Sequence, residues 1–264
     1  MTLYKFITRS LWYFRKQHLA VLTGTLISTA VLTGALIIGD SVNFSLKKLV
    51  ETRLSNVRYA LVTGNRFVRS GLAYDLASNL KVPATPVLLL RGIAVNPDTK
   101  DRINSIQVIG IDSSFRKVAG NALFTLHPDE AIISENIAHK LHLKKDDEFL
   151  LRVENATIIP LNAPFVSEIK SSEGLRLKVK AIANDQNMGR FTLRNNQSAP
   201  FNVFVSREYL SNRLDLVNRI NVILFSDNIQ HSLEKDSLDK ALEKEWQSED
   251  AGLKIQEIKE TGQY

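Results

Sequence analysis

The longest uncharged apolar run in the chain is Leu19 to Gly39, LAVLTGTLISTAVLTGALIIG. At about 1.5 Å per residue it makes a helix of roughly 30 Å, the thickness of a bilayer's hydrocarbon core, so a transmembrane helix is expected over 19–39. Within it Thr25, Thr29 and Thr33 recur at every fourth position, while Gly24, Ser28, Ala30 and Gly34 keep the same region thin. Lipid has no need of thin faces, whereas neighbouring helices do, which marks Gly24, Thr25, Ser28, Thr29, Thr33 and Gly34 as candidate helix-packing residues. A lone anchor with incidental threonines is the alternative. A cleaved signal fits less well, because a signal's apolar core is about 7–15 residues and this run continues through Leu36, Ile37 and Ile38.

On either side the period stays helical. Leu3, Phe6, Ile7, Leu11 and Phe14 share one face, with Lys5, Arg9 and Lys16 off it and Trp12 and Tyr13 at headgroup depth, which predicts an interfacial helix over 1–18. After the run, Val42, Leu46, Leu49, Val50, Leu54 and Val57 continue the 3.6-residue period, so a stalk is expected over 40–56. Beyond it the pattern shifts towards strands. Strands are expected at 58–63, 87–95, 102–111, 131–134, 148–153, 175–183, 201–205 and 221–225, with a closing strand at 253–258. Helices are expected from a Ser70 cap to Leu80, from a Ser134 cap to Leu141, over 207–213 and from Ile229 to Trp246, and a long loop at 155–174.

Charge changes the picture little. The net charge is +6, of which Lys5, Arg9, Arg15 and Lys16 supply four before Leu19, so the remainder is nearly balanced and carries no nucleic-acid footprint. Arg15 and Lys16 sit within a turn of the apolar run and no base occurs from Asp40 to Leu46, which places the N-terminus in the cytoplasm and the C-terminal part outside it. With no cysteine, neither a disulfide framework nor a thiolate metal site is available.

Catalytic signals are thin. Gly39-Asp40-Ser41 matches the nucleophile motif of GDSL-type lipases, but Asp227 and His231 are four apart where such enzymes use a DxxH pair, and the supposed strand is the bilayer-length run. His139 and His142 could share a metal only with further ligands, which are not visible, and no phosphate-binding loop is present. Arg190 and Arg194 near Phe191 could grip an anion. No catalytic, cofactor-binding or metal residue is expected.

Several stretches together resemble FtsX-like and MacB-type ABC transporter permeases. They are Leu32 to Val42 at the end of the apolar run, Val108-Ile109-Gly110-Ile111-Asp112-Ser113-Ser114-Phe115, Asp129 to Glu135 followed by Leu141 to Lys144, Phe201 to Val205, and Arg219-Ile220-Asn221-Val222. The resemblance implies an α+β fold: one membrane helix with its stalk, then a MacB-type periplasmic core. In that core, 57–120 and 215–264 form the split halves of a porter-like βαβ subdomain, and 121–214 forms a small inserted β-rich subdomain. It also implies the bacterial inner membrane, a homodimer, contact with other permease helices, and a separate cytoplasmic ABC ATPase whose closure travels through the stalk. Family permeases have at least three more membrane helices after this domain, so a fragment, a split gene product or a truncated relative is expected. The other reading is a single-pass anchored sensor or binding module outside the membrane.

Overall fold

A computed structural model describes residues 3–64, 66–120, 125–154, 172–194, 198–226 and 233–251. The chain divides into two units, Met1–Val50 and Glu51–Tyr264. The first holds α1 (Leu3–Tyr13) and most of α2 (Arg15–Leu54), with Phe14 between them. The 40 residues of α2 cover the expected span and continue to Leu54. Nothing in Leu19 to Leu54 breaks a helix: there is no proline, and the glycines are isolated. The apolar side chains of α2 are exposed, from Leu22 at 61% to Ile38 at 66%, and the helix is long and apolar enough to cross a membrane.

In the second unit β1 (Val57–Val62) is followed by β2 (Val68–Arg69), α3 (Gly71–Leu80), β3 (Ala84–Val95), β4 (Arg102–Ile111) and α4 (Phe115–Ala119). Next come β5 (Glu130–Ser134), α5 (Glu135–Leu141), β6 (Glu148–Glu154), β7 (Ser172–Ala183), β8 (Asn202–Ser206) and α6 (Arg207–Arg213). The described part ends with β9 (Arg219–Ile220), β10 (Val222–Ser226), α7 (Lys235–Glu245) and a 3-10 turn at Ser248–Ala251.

Eight of the ten strands form one sheet in the order β1-β10-β3-β4-β8-β5-β7-β6, β2 and β9 pair separately, and a further pairing of β6 with β3 closes the last six strands of the larger sheet into a barrel. Because side chains alternate along a strand, one set of each points inward. Leu88, Leu90 and Ala94 of β3, Val108 of β4, Ile133 of β5, Phe149, Leu151 and Val153 of β6, Leu175, Leu177 and Val179 of β7, and Val203 and Val205 of β8 fill the lumen, with Ile137 and Leu141 of α5 against them. This is a packed core rather than a ligand cavity. The opposite faces of β4, β5 and β8 bury Ile109, Ile132 and Phe204 under Phe115 of α4 and Phe191. Leu72 and Leu76 of α3 and Ala241 of α7 cover Ile223 and Phe225 of β10.

Two strands approach closely where the barrel closes. A Cβ on Gly92 would stand 2.6 Å from the Arg152 carbonyl oxygen, so only glycine fits where β3 turns from β10 to β6. At the same fork the Asn221 side chain extends the ladder: its Oδ1 accepts from Leu89 N at 2.8 Å and its Nδ2 donates to Leu89 O at 2.8 Å.

Several expectations change. Strand β3 begins at Ala84 and includes Pro86, which was expected to lie before the strand. Pro86 pairs with Ile223, and the pairing with β4 starts only at Leu88, so its missing N–H costs no bond on that side. Neither Ser70 nor Ser134 caps its helix through the side chain. The Ser134 hydroxyl instead donates to Asn136 Oδ1 and accepts from Asn202 N at 3.0 Å. Strands of both expected subdomains, β3 and β4 from 57–120 and β5 to β8 from 121–214, close the single barrel. The expected closing strand at 253–258, Ile229, and most of the expected loop at 155–174 lie outside the described residues.

Candidate functional site

On α2 the six candidate packing residues do not share one face. Thr25, Thr29, Thr33 and Gly34 line a shallow groove with Leu22, Leu26, Ala30 and Ile37. Gly24 and Ser28 fall roughly 140–180° away from that stripe's centre at about 100° per residue. Each threonine on the stripe uses its hydroxyl proton within the helix. Thr25 Oγ1 donates to Leu22 O at 2.9 Å, Thr29 to Thr25 O at 2.8 Å and Thr33 to Thr29 O at 2.7 Å. What the stripe offers outward is therefore methyl groups and small contours rather than free donors.

At its C-terminal end α2 joins the barrel domain through a short connection. Arg53 is buried, Leu54 packs against the α4 core, and only Ser55 and Asn56 separate the helix from β1, whose Val57 is itself core. Ser55 turns left-handed at φ 50° and its hydroxyl donates to Ala119 O at 3.3 Å. Asn56 lies against Gly120, where a Cβ would meet its Nδ2 at 2.6 Å.

The last described turn of the chain is tied down electrostatically. The Asp250 carboxylate is fully buried and accepts from Arg69 N at 3.0 Å, Arg69 Nε at 3.0 Å and Gln247 N at 3.1 Å. The Arg69 guanidinium also donates to Asp75 Oδ2 at 2.7 Å and to Glu245 O at 2.7 Å. Burial alone would lower the Arg69 pKa, but the bonds from both carboxylates outweigh it and raise it. One side chain thus clasps α3, the end of α7 and the 3-10 turn together.

A second polar node sits where β4 leads into α4. Asp112 accepts from Tyr74 Oη at 2.6 Å, from Ser114 N at 2.9 Å and from Arg207 Nη2 at 3.4 Å, and its carboxylate also accepts from the Ser114 hydroxyl. Burial, and then the bond to Asp112, push the Tyr74 phenol up to about 12. The node joins α3, β4 and α6. It contains no histidine or cysteine, and its side chains bond to one another as in a structural hub, although Arg207 Nε is buried without a hydrogen-bond partner among the described residues.

The remaining sequence candidates do not assemble. Gly39, Asp40 and Ser41 lie inside α2, not on a strand-to-helix elbow, and the proposed partners Asp227 and His231 lie outside the described residues. His139 faces Glu135 at 3.7 Å and His142 is the left-handed residue ending α5. Arg190 pairs with Asp185 at 2.5 Å, and Phe191 is buried in the core beside it. Among the described residues no group of three or more His, Asp or Glu side chains gathers as a metal site.

No protein-family model matches the sequence, and no curated protein matches it. Among solved structures, the periplasmic region of MacB from Actinobacillus actinomycetemcomitans aligns over 76% of this chain and 87% of its own, at 12% identity and a TM-score of 0.47. The extracellular domain of the noncanonic ABC-type transporter YknZ from Gram-positive bacteria aligns over 66% of this chain and 78% of its own, at 12% identity and a TM-score of 0.38.

Proposed function

We propose that this chain is the first membrane helix and extracytoplasmic domain of a MacB/FtsX-type ABC transporter permease, working as a homodimer with a separate cytoplasmic ATPase. Its role is mechanical rather than catalytic: α2 crosses the bacterial inner membrane with its N-terminus in the cytoplasm and conveys movement to the domain beyond. The stripe of Thr25, Thr29, Thr33 and Gly34 packs against other permease helices. The observation that carries this reading is the junction at Ser55 and Asn56. Only two residues of chain lie between the end of α2 and the start of β1, where a long flexible linker would absorb any push or rotation.

The native chain has no cysteine, so single cysteines report cleanly. In membranes that also contain the cognate ATPase, ATP with vanadate is expected to change the rate of Leu46→Cys disulfide formation between two copies. It is also expected to change the labelling rate of Lys145→Cys by a maleimide in the same membranes. Five Gly/Ser residues inserted between Ser55 and Asn56 should preserve the first response and abolish the second. If the insertion changes neither, an anchored sensor or binding module is the better reading.

A further inference from the structure

Helix α1 carries two opposed faces. At about 100° per residue, Leu3, Phe6, Ile7 and Leu11 fall within one half of its circumference while Lys5, Thr8, Arg9 and Trp12 occupy the other. The apolar half is bare, with Leu3 80% exposed and Phe6 65% exposed. On the polar half Lys5, Thr8, Arg9 and Trp12 line one shallow groove. Thr8 Oγ1 bonds back to Tyr4 O at 3.0 Å, so the free donors there belong to the cations and the indole. Arg15, the first residue of α2, places its guanidinium 5.2 Å from the centre of the Trp12 ring, adding a third cation beside the groove. Lys16 follows, and no acidic residue occurs before Asp40.

We infer that α1 lies in the bilayer interface and selects anionic phospholipids, with Lys5, Arg9 and Arg15 gathering lipid phosphates around Trp12. Two observations choose this occupant over a protein. The bare apolar face needs covering along the whole length of α1, and only Phe14 separates it from a helix long and apolar enough to span a bilayer, so acyl chains are the nearest cover. The uncompensated run of cations suits a negatively charged surface, to which each Lys or Arg is attracted by about 1 kcal/mol, or about fivefold. This inference rests on the proposal that α2 crosses a membrane.

The test uses the full chain with Trp246→Phe, which leaves Trp12 as the sole tryptophan of the two in the sequence. It is reconstituted in vesicles of phosphatidylcholine and phosphatidylglycerol, with one or the other brominated as a short-range quencher. Quenching by the brominated anionic lipid is expected to exceed quenching by brominated phosphatidylcholine. The preference should fall about fivefold with each of Lys5→Gln, Arg9→Gln and Arg15→Gln until the two lipids quench alike, and it should weaken in 1 M salt, where screening acts within about 3 Å. Equal quenching by both lipids in the parent chain overturns the inference. So does a Trp12 reached by aqueous acrylamide and by neither lipid. Alkaline carbonate extraction of the same vesicles separates the two levels. A protein that stays in the pellet with lipid-indifferent Trp12 refutes this inference alone, whereas one that is released refutes the membrane-spanning reading beneath it.

Discussion

The clasp at Asp250 offers the most direct measurement of what holds the end of the domain in place. Replacing Asp250 by alanine removes three acceptor contacts from a site with no solvent access: Arg69 N, Arg69 Nε and Gln247 N. The two backbone N–H groups are left unpaired, at about 1–3 kcal/mol each. The guanidinium is not stranded, because Asp75 and the Glu245 carbonyl keep it bonded. The expected loss is therefore about 3 kcal/mol, at the low end for a broken buried ion pair. Asp75→Ala removes a partner that is 40% exposed and should cost about 1 kcal/mol or less. In a cycle with Arg69→Met, the coupling of Arg69 to Asp250 should be about 2 kcal/mol and should exceed its coupling to Asp75. Urea unfolding of the detergent-solubilised chain gives the energies, and hydrogen exchange gives the location. Amides of α7 and the 3-10 turn should lose protection in Asp250→Ala before those of the barrel strands. Equal effects of the two alanine changes, or a uniform rise in exchange across the barrel, would refute the reasoning.

Other sites give sharper local tests. Asn221→Leu should cost about 2–4 kcal/mol in urea unfolding, because both the N–H and the carbonyl of Leu89 lose their partner at the fork. Gly92→Ala should cost about 1–3 kcal/mol by pushing a methyl against the Arg152 carbonyl, and Gly110→Ala should cost less, since its nearest neighbours stand at 3.2 Å and two of the three are side-chain atoms. Tyr74 is an acid kept neutral by folding, so its contribution is complete below the ordinary phenol range near pH 10 and is lost as pH rises through about 12. Ultraviolet titration of the folded protein should show a late phenolate step that disappears in Tyr74→Phe.

How much of this was legible in the sequence depended on whether the deciding contacts were local. The limits of β4 and α6 could be read to the residue, at Arg102–Ile111 after the Asn96-Pro97-Asp98 turn and at Arg207–Arg213 between two strands. The proline rule misplaced the start of β3, since whether Pro86 is tolerated depends on which neighbours that stretch of strand has. Barrel closure by β6 on β3 is a register between residues 55 to 61 positions apart, 57 for Ala94 with Leu151, and no local pattern encodes it. The pairing of β2 with β9 and the bond of Arg69 to Asp250, at a separation of 181 residues, are hidden for the same reason. The threonine stripe was visible as spacing. Its separation from Gly24 and Ser28 required the angular step between adjacent residues to be counted as well.

That stripe also distinguishes two ways in which a threonine can hold membrane helices together. A hydroxyl could donate across to a partner helix, or it could be satisfied at home and leave only a small, flat surface for close packing. The bonds of Thr25, Thr29 and Thr33 to carbonyls one turn back favour the second. Valine has nearly the shape of threonine without the hydroxyl, whereas leucine adds bulk. If the stripe packs against other helices as proposed, changing all three to valine should leave association in mild detergent within about twofold of the parent, while changing them to leucine should weaken it by at least tenfold, about 1.4 kcal/mol. Crosslinking yield at Leu46→Cys, read against protein-to-detergent ratio, supplies the measurement. If valine and leucine disrupt association equally, the hydroxyls bond across the interface and the close-packing account of α2 is wrong.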